Sequence, residues 1–347
     1  MIAYVFGAGA SKQAGYPLAS KLLGALAEWL DGKCPDDPGI SDFRTRVKQL
    51  RAELPGVNDF EEVLRNLDSW GQDRIGVGSV GSDVQCDRDL FEDASRCLDS
   101  DPQQSDCEVR GFYPQYLRDD LASAVREYFY EIALGGAEGA YENFAEHRAR
   151  DGDTVITFNY DVSVERALAR YSKWDIGSGY GFELFPGRPK SSVTVLKLHG
   201  SVNWFREPMQ KALPPLVFPR DLELLGYQDL NDAITPRNGA AVEHTSTLIL
   251  PSPNKRFSWD LLWESLWRRA GEALREAEEV FIHGYSMPQA DDRARRLLMD
   301  SINRRSPIHV FSMGKSDCVA SEFRGGGFQD VRPYGTIEFE TWAADRN

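Results

Sequence analysis

The first seventeen residues, MIAYVFGAGASKQAGYP, constrain the fold more than any other stretch. Residues 2–6 form an apolar run with the length of a buried strand, which breaks at Gly7-Ala8-Gly9 and is followed by Ser11, Gly15 and Pro17. A strand that turns at glycines and restarts as a helix leaves backbone N–H groups facing outward with a helix dipole behind them, an arrangement that favours phosphate. Gly7 and Gly9 lack a Cβ, so the turn is expected to let a pyrophosphate approach the backbone. The dehydrogenase fingerprint G-x-G-x-x-G is not met. Lys12 stands where its third glycine belongs, and no second strand ending in an acid follows ~20 residues on. From Pro17 the spacing of Leu18, Leu22, Leu23, Leu26, Trp29 and Leu30 predicts a long amphipathic helix.

Residues 31–150 read as a mainly helical insertion. Asp59 caps a pattern of Phe60, Val63, Leu64, Leu67 and Trp70, residues 71–87 are rich in glycine and serine, and helical patterns cover 88–98, 112–134 and 138–150. Beyond 150 the chain alternates. Short apolar runs at 154–158, 193–198, 247–250, 280–283 and 308–312 predict strands, with helices after 161, over 258–277 and over 290–303, and an edge strand over 336–341. This alternation predicts an α/β fold: a doubly wound, Rossmann-like parallel sheet. Residues 1–30 and 151–347 would form the sheet domain, with 31–150 inserted. Polar groups follow four strand ends: Gly7-Ala8-Gly9, Asn159-Tyr160-Asp161, His199-Gly200-Ser201 and Gly284-Tyr285-Ser286. A parallel sheet gathers such ends along one rim, so all four should meet at one crevice.

Charge narrows the partners. With 54 acidic and 40 basic side chains, the net charge of −14 argues against gripping nucleic acid or an anionic membrane. No apolar run is long enough to span a bilayer, and a chain opening on its first strand is expected to carry no leader. Five cysteines without a C-x-x-C pair fit a reducing cytoplasm, and neither they nor the five histidines have metal-ligand spacing. No metal site is expected.

Together the motifs resemble the sirtuin-like superfamily. Its phosphate loop, G-A-G-x-S-x-x-x-G-x-P, matches Gly7-Ala8-Gly9 through Ser11, Gly15 and Pro17. Its N-x-D, histidine-glycine and late G-[TY]-S motifs match Asn159-Tyr160-Asp161, His199-Gly200 and Gly284-Tyr285-Ser286, in the same order. The zinc ribbon of the protein-deacylating members is absent, and Phe158 stands where they have glutamine. VLKLHGSVNWF and FIHGYSMPQAD instead look like the bacterial branch found in anti-phage defence.

The resemblance implies a sirtuin-type fold and an enzyme that hydrolyses NAD to nicotinamide and ADP-ribose without a metal, depleting an infected cell. Gly7, Ala8, Gly9 and Ser11 would hold the pyrophosphate, and Asp161 the nicotinamide carboxamide. Asn159 would hold a water or the ribose beside the anomeric carbon. His199, whose ordinary pKa is near neutrality, would serve as general base or ribose-hydroxyl acceptor. Gly284, Tyr285 and Ser286 would contact the adenine-side ribose or phosphate, with Asp291 supporting their loop. Read as residues alone, Ser11 and Asp161 can equally be helix caps, Asn159 a turn residue and His199 a satisfied core histidine. Gly9→Val is expected to abolish NAD binding with modest loss of stability. The alternatives are an NAD-dependent protein deacylase and a non-catalytic module that binds NAD or ADP-ribose. The expected partner is a second copy of the chain, or a separate sensor or ATPase protein. The insertion would supply the contacts, through its aromatic residues Phe112, Tyr113, Tyr116, Tyr128, Phe129 and Tyr130 and the acidic segment 71–107.

Overall fold

A computed structural model describes residues 1–33, 44–75 except 46, 49, 53, 55, 56 and 58, 114–206 except 137 and 184–186, 217–219, 245–246, 248–250 and 261–345 except 336. In chain order the described strands are β1 (Ile2–Phe6), β2 (Thr154–Thr157), β3 (Thr194–Lys197), β4 (Trp204–Arg206), β5 (Val217–Pro219), β6 (Thr245–Ser246), β7 (Glu279–His283), β8 (Ile308–Phe311) and β9 (Val331–Pro333). The helices are α1 (Ala19–Asp31), α2 (Phe60–Ile75), α3 (Pro114–Leu134), α4 (Ala140–Asn143), α5 (Ser163–Arg170), α6 (Leu261–Glu276), α7 (Asp292–Ser301), α8 (Ser316–Gly325) and α9 (Phe339–Ala344).

Six strands build one parallel sheet in the order β3-β2-β1-β7-β8-β9. Residues 3–6 of β1 and all of β2 and β8 are buried, which is why these segments read as unbroken apolar runs rather than alternating ones. The chain winds outward from β1 through β2 to β3 on one side and from β7 through β8 to β9 on the other. The order therefore reverses between β1 and β7, where the turns after parallel strands splay apart and leave a crevice. Register brings Phe6 beside both Thr157 and His283, so the segments that follow these three residues leave the sheet at one level. The expected Rossmann-like α/β architecture is present.

Two expected strands are absent from this sheet. Thr245–Ser246 pairs antiparallel with β4 in a separate three-stranded sheet, β5-β4-β6, and residues 248–250 are not strand. The apolar side chains of Leu248 and Leu250 are buried all the same, which makes the run look strand-like. The edge strand lies at Val331–Pro333, and the segment expected to form it turns into α9. Phe339 and Trp342 recur at helical spacing, and Phe339 meets Phe6, Tyr141 and His283 at ring distances of 5.2, 5.2 and 4.9 Å. Pro333 stands on the outermost strand, where a missing N–H leaves no sheet bond broken.

The helices of 31–150 are not set apart from the sheet's core. Leu64, Leu121 and Val125 are buried in the same continuous apolar cluster as the strands. Tyr128 packs 5.6 Å from Trp29, and Phe129 packs 5.0 Å from Tyr16, so these aromatics of α3 serve internal packing. Residues 138–150 form α4 and then a π turn, Phe144–Arg148, closed by Ala149 N–H donating to Phe144 O at 3.0 Å. The expected helix over 88–98, Phe112 and Tyr113 lie outside the described residues, as do residues 76–107 of the acidic segment and the side chain of Tyr116.

One buried ion pair fixes the segment after β2. Lys197 and Glu165 are both fully buried, 2.9 Å apart, and the Lys197 ammonium also donates to Asp161 O. Burial pushes the Glu165 carboxyl above its ordinary pKa, Lys197 opposing the shift. Removing one partner strands the other charge in the interior, at a cost of about 3–5 kcal/mol. Lys197→Met should therefore lower unfolding free energy in urea by about that amount, and the added Glu165→Gln should recover much of it. A loss under about 1 kcal/mol in the single variant would contradict this account.

Candidate active site

The turn after β1 is built against the loop after β7. Gly7 N–H donates to His283 O at 2.9 Å, and Gly9 N–H donates to Gly284 O at 3.0 Å. A Cβ on Gly7 would stand 2.7 Å from Gly284 O and Tyr285 Cα, and one on Gly9 2.7 Å from Gly284 Cα. Gly284, at φ 63°, would place a Cβ 2.2 Å from Ala10 N. The absent side chains thus make room for the facing backbone. Ala10 and Ser11 N–H groups are bonded to Gly7 O and Ala8 O. Over residues 7–11, Ala8 alone has an N–H with no bond among the described residues.

Nor does a helix restart at the turn. Lys12–Ala14 is a single 3-10 turn, closed by Gly15 at φ 93°, and α1 begins at Ala19. Leu18, at the cap position of α1, has no oxygen with which to cap it. Leu18, Ala19 and Ser20 line the cleft, as do Lys12 and Lys315. The uncapped first turn of α1 and two lysines thus face a cleft that Asp59, Glu61, Asp161 and Asp291 also line.

Deeper in the cleft, Ser11 is the centre of a buried network. The Asn159 amide donates to Gly7 O at 2.9 Å and to Ser11 Oγ at 2.8 Å. A backbone carbonyl can only accept, so Nδ2 is the atom facing the turn. Ser11 Oγ donates to Asp161 Oδ2 at 2.6 Å and lies 3.0 Å from the Tyr141 hydroxyl. Burial, reinforced by Asp161, raises Tyr141 well above the ordinary tyrosine pKa, so it stays protonated and donates. Every valence of the Ser11 hydroxyl is then used within the protein. Asp161 Oδ1 accepts from Ser163 N–H at 3.0 Å, holding the first turn of α5, so this carboxylate steadies a helix and lines the cleft at once. Tyr141 was not recognised from sequence, because a tyrosine in a helical pattern reads as core.

His199 leaves the end of β3 and is 4 % exposed. Its Nε2 lies 3.3 Å from Asp291 Oδ2, and the Tyr285 hydroxyl donates to the same oxygen at 3.4 Å. Phe158 stands 5.1 Å from the imidazole and 4.5 Å from the Tyr285 ring, with Trp267 at 6.3 Å from His199. Arg293 lies over Trp267 at 4.4 Å. Asp291, expected only to support the late loop, touches both Tyr285 and His199.

These groups line one cleft of about 490 Å³, within the range that holds a small molecule or nucleotide. Gly7, Ala8, Gly9, Ser11, Asn159, Asp161, His199, Gly284, Tyr285 and Ser286 all lie on its wall. Tyr16, Leu22, Phe60 and Phe129, from the segment around α1 to α3, add an apolar flank. Among the described residues no three His, Cys, Asp or Glu side chains gather as a metal site, and no helix is long and apolar enough to cross a membrane.

No protein-family model matches the chain, and no curated protein matches it. Its structure is similar to that of a Sir2 bound to acetylated peptide, with 14 % identity and a TM-score of 0.31 over 59 % of this chain and 66 % of that one. It is also similar to a Sir2 enzyme, with 12 % identity and a TM-score of 0.39 over 99 % of this chain and 90 % of that one. A third similarity is to Sir2 in complex with the inhibitor EX-527, 2'-O-acetyl-ADP-ribose and a deacetylated p53 peptide, with 14 % identity and a TM-score of 0.32 over 65 % and 80 % of the two chains. Strand order and register, not these likenesses, define the architecture.

The glycine contacts make a stability prediction. Gly284→Ala adds a Cβ at positive φ against the backbone of Gly9 and Ala10, and Gly9→Val forces the same interface from the other side. Strain and overpacking together should cost Gly284→Ala about 3 kcal/mol or more in urea unfolding, and overpacking should cost Gly9→Val about 1–3 kcal/mol, more than the modest loss expected from sequence. Wild-type stability in either would show that the two loops do not depend on this contact.

Proposed function

We propose that the chain is an NAD+ hydrolase that releases nicotinamide and ADP-ribose, and that it acts in bacterial anti-phage defence by depleting NAD. The supporting observation is the cleft at the reversal of strand order, where Asn159, Asp161 and a carboxylate-held His199 meet. In this reading the pyrophosphate lies near Ala8, the first turn of α1 and Lys12, and the loop of Gly284, Tyr285 and Ser286 takes the adenine-side ribose. Asp161 orients the nicotinamide carboxamide and Asn159 the ribose or attacking water.

Hydrolysis breaks the bond between the ribose anomeric carbon and the pyridinium nitrogen. The bonding pair goes to nicotinamide, which leaves neutral and needs no acid. Water oxygen bonds to the anomeric carbon and its proton passes to His199, then to solvent. The barrier is the oxocarbenium-like ribose, which positioned dipoles and a held water lower.

A protein deacylase would use the same site, so dependence on an acylated peptide separates the two readings. A homo-oligomer, or a separate sensor or ATPase protein, would keep hydrolysis in check. The sheet domain of 1–30 and 151–347, with 31–150 inserted, is the proposed division of labour.

Purified protein incubated with NAD+ should release nicotinamide, read by chromatography, without any acyl-lysine peptide. His199→Ala should reduce the rate at least ~100-fold and also lose about 1–3 kcal/mol, because buried Asp291 loses a donor. Asn159→Ala should do the same, likewise losing about 1–3 kcal/mol, because its amide holds Gly7 O and Ser11. Release only with peptide would replace hydrolysis by deacylation, and none under either condition would overturn both.

A further inference from the structure

We infer that Asp291 is the positioning residue of this site: its carboxylate accepts the Nε2–H of His199, fixing the imidazole tautomer that leaves Nδ1 as proton acceptor. The inference rests on the reading of His199 as the base.

Its first support is what Asp291 does not do. It occupies the cap position of α7, where aspartate ordinarily bonds the first helical N–H groups, yet its side chain makes no capping bond. The carboxylate turns instead to His199 at 3.3 Å and to the Tyr285 hydroxyl at 3.4 Å, and Asp291 is 3 % exposed. A buried carboxylate that forgoes a cap needs other donors, and these two groups supply them. Tyr285 is held well above its ordinary pKa by burial and then by Asp291 itself, so its hydroxyl remains a donor across the working range.

The second support is how the loop is held. Gly284 at φ 63° and Met287 at φ 50° bend the chain through left-handed backbone on its way to Asp291. A non-glycine residue there is strained and persists only where its surroundings impose it. The surroundings are visible: Ser312 Oγ donates to Tyr285 O at 2.7 Å, and Arg295 donates to Met287 O at 3.2 Å. Strand β3 supplies the base and the β7–α7 loop its partner, so the two are brought together only when the sheet is complete.

The chemistry follows from charge. An ionised carboxylate stabilises the imidazolium formed when His199 takes the proton, so it raises the basicity of the ring. Among the described residues, titratable or charged groups near this pair include Tyr285 on the β7 loop, Glu61 and Arg295 acting on Tyr285, Arg293 of α7 lying over Trp267, Glu264 of α6 near Arg293, and Asp161 on the cleft wall. Asp291 is in direct contact with the ring at 3.3 Å.

Histidine-labelled ¹⁵N NMR of the full chain, with the His199 signal assigned through His199→Gln, tests this without NAD. Wild-type His199 should be the Nε2–H tautomer when neutral, and an Nδ1–H tautomer would overturn the proposal with no variant needed. Asp291→Asn keeps the shape and removes the charge, so the His199 pKa should fall by about one unit or more. Asp291→Glu should restore much of it. With NAD, the acid limb of the kcat–pH profile should move down by the same amount in Asp291→Asn. Its kcat should drop about 10- to 100-fold while KM changes less than about threefold. An unmoved His199 titration and acid limb in a folded Asp291→Asn protein would overturn the inference. A correct tautomer and shifted titration in a protein that releases no nicotinamide would leave the His–Asp pair standing and sink the hydrolase reading instead.

Discussion

The backbone-to-backbone contact between the turn after β1 and the loop after β7 is the constraint on which the cleft depends. Gly7 and Gly9 hydrogen-bond to His283 and Gly284 with no side chain between them. Strand order reverses at this point, so the two turns would otherwise diverge. Glycine lets them stay joined at their base while their outer parts open into the cleft. On one side the contact holds Gly7 O in place for the Asn159 amide. On the other it sets the course of the chain through Tyr285 to Asp291.

From that contact the polar floor is ordered by satisfied valences. Ser11 receives Asn159 and Tyr141 and gives its proton to Asp161, which in turn holds the start of α5. The Lys197–Glu165 pair holds the Asp161 carbonyl from beneath. The bonds around Ser11 make this floor rigid, because moving Asn159, Tyr141 or Asp161 leaves a buried polar group unpaired.

The apolar flank has a different origin. Tyr16, Phe60 and Phe129 come from α1 to α3 and the turn before α1, packed into the same core as the strands. These helices therefore form one wall of the cleft, and Tyr141, on α4, reaches its floor. A change in their packing would be felt at Ser11 through the Tyr141 hydroxyl.

By itself the sequence determined the parallel sheet, because strands buried on both faces must be apolar runs and must be joined by helices. It also determined which residues meet. The polar tripeptides after β1, β2, β3 and β7 share an edge wherever those strands lie parallel, whatever the details. It could not separate Leu248 and Leu250 from a strand, or Phe339 and Trp342 from an edge strand, since buried side chains leave the same apolar signature in either geometry. Only the tertiary structure showed that the glycines face the backbone of another loop, since a missing Cβ does not say what stands opposite it. Only it joined His199 to Asp291 and Tyr141 to Ser11, because those pairs lie on elements distant in sequence. A polar contact across such a distance is set by packing, which no local pattern of residues encodes.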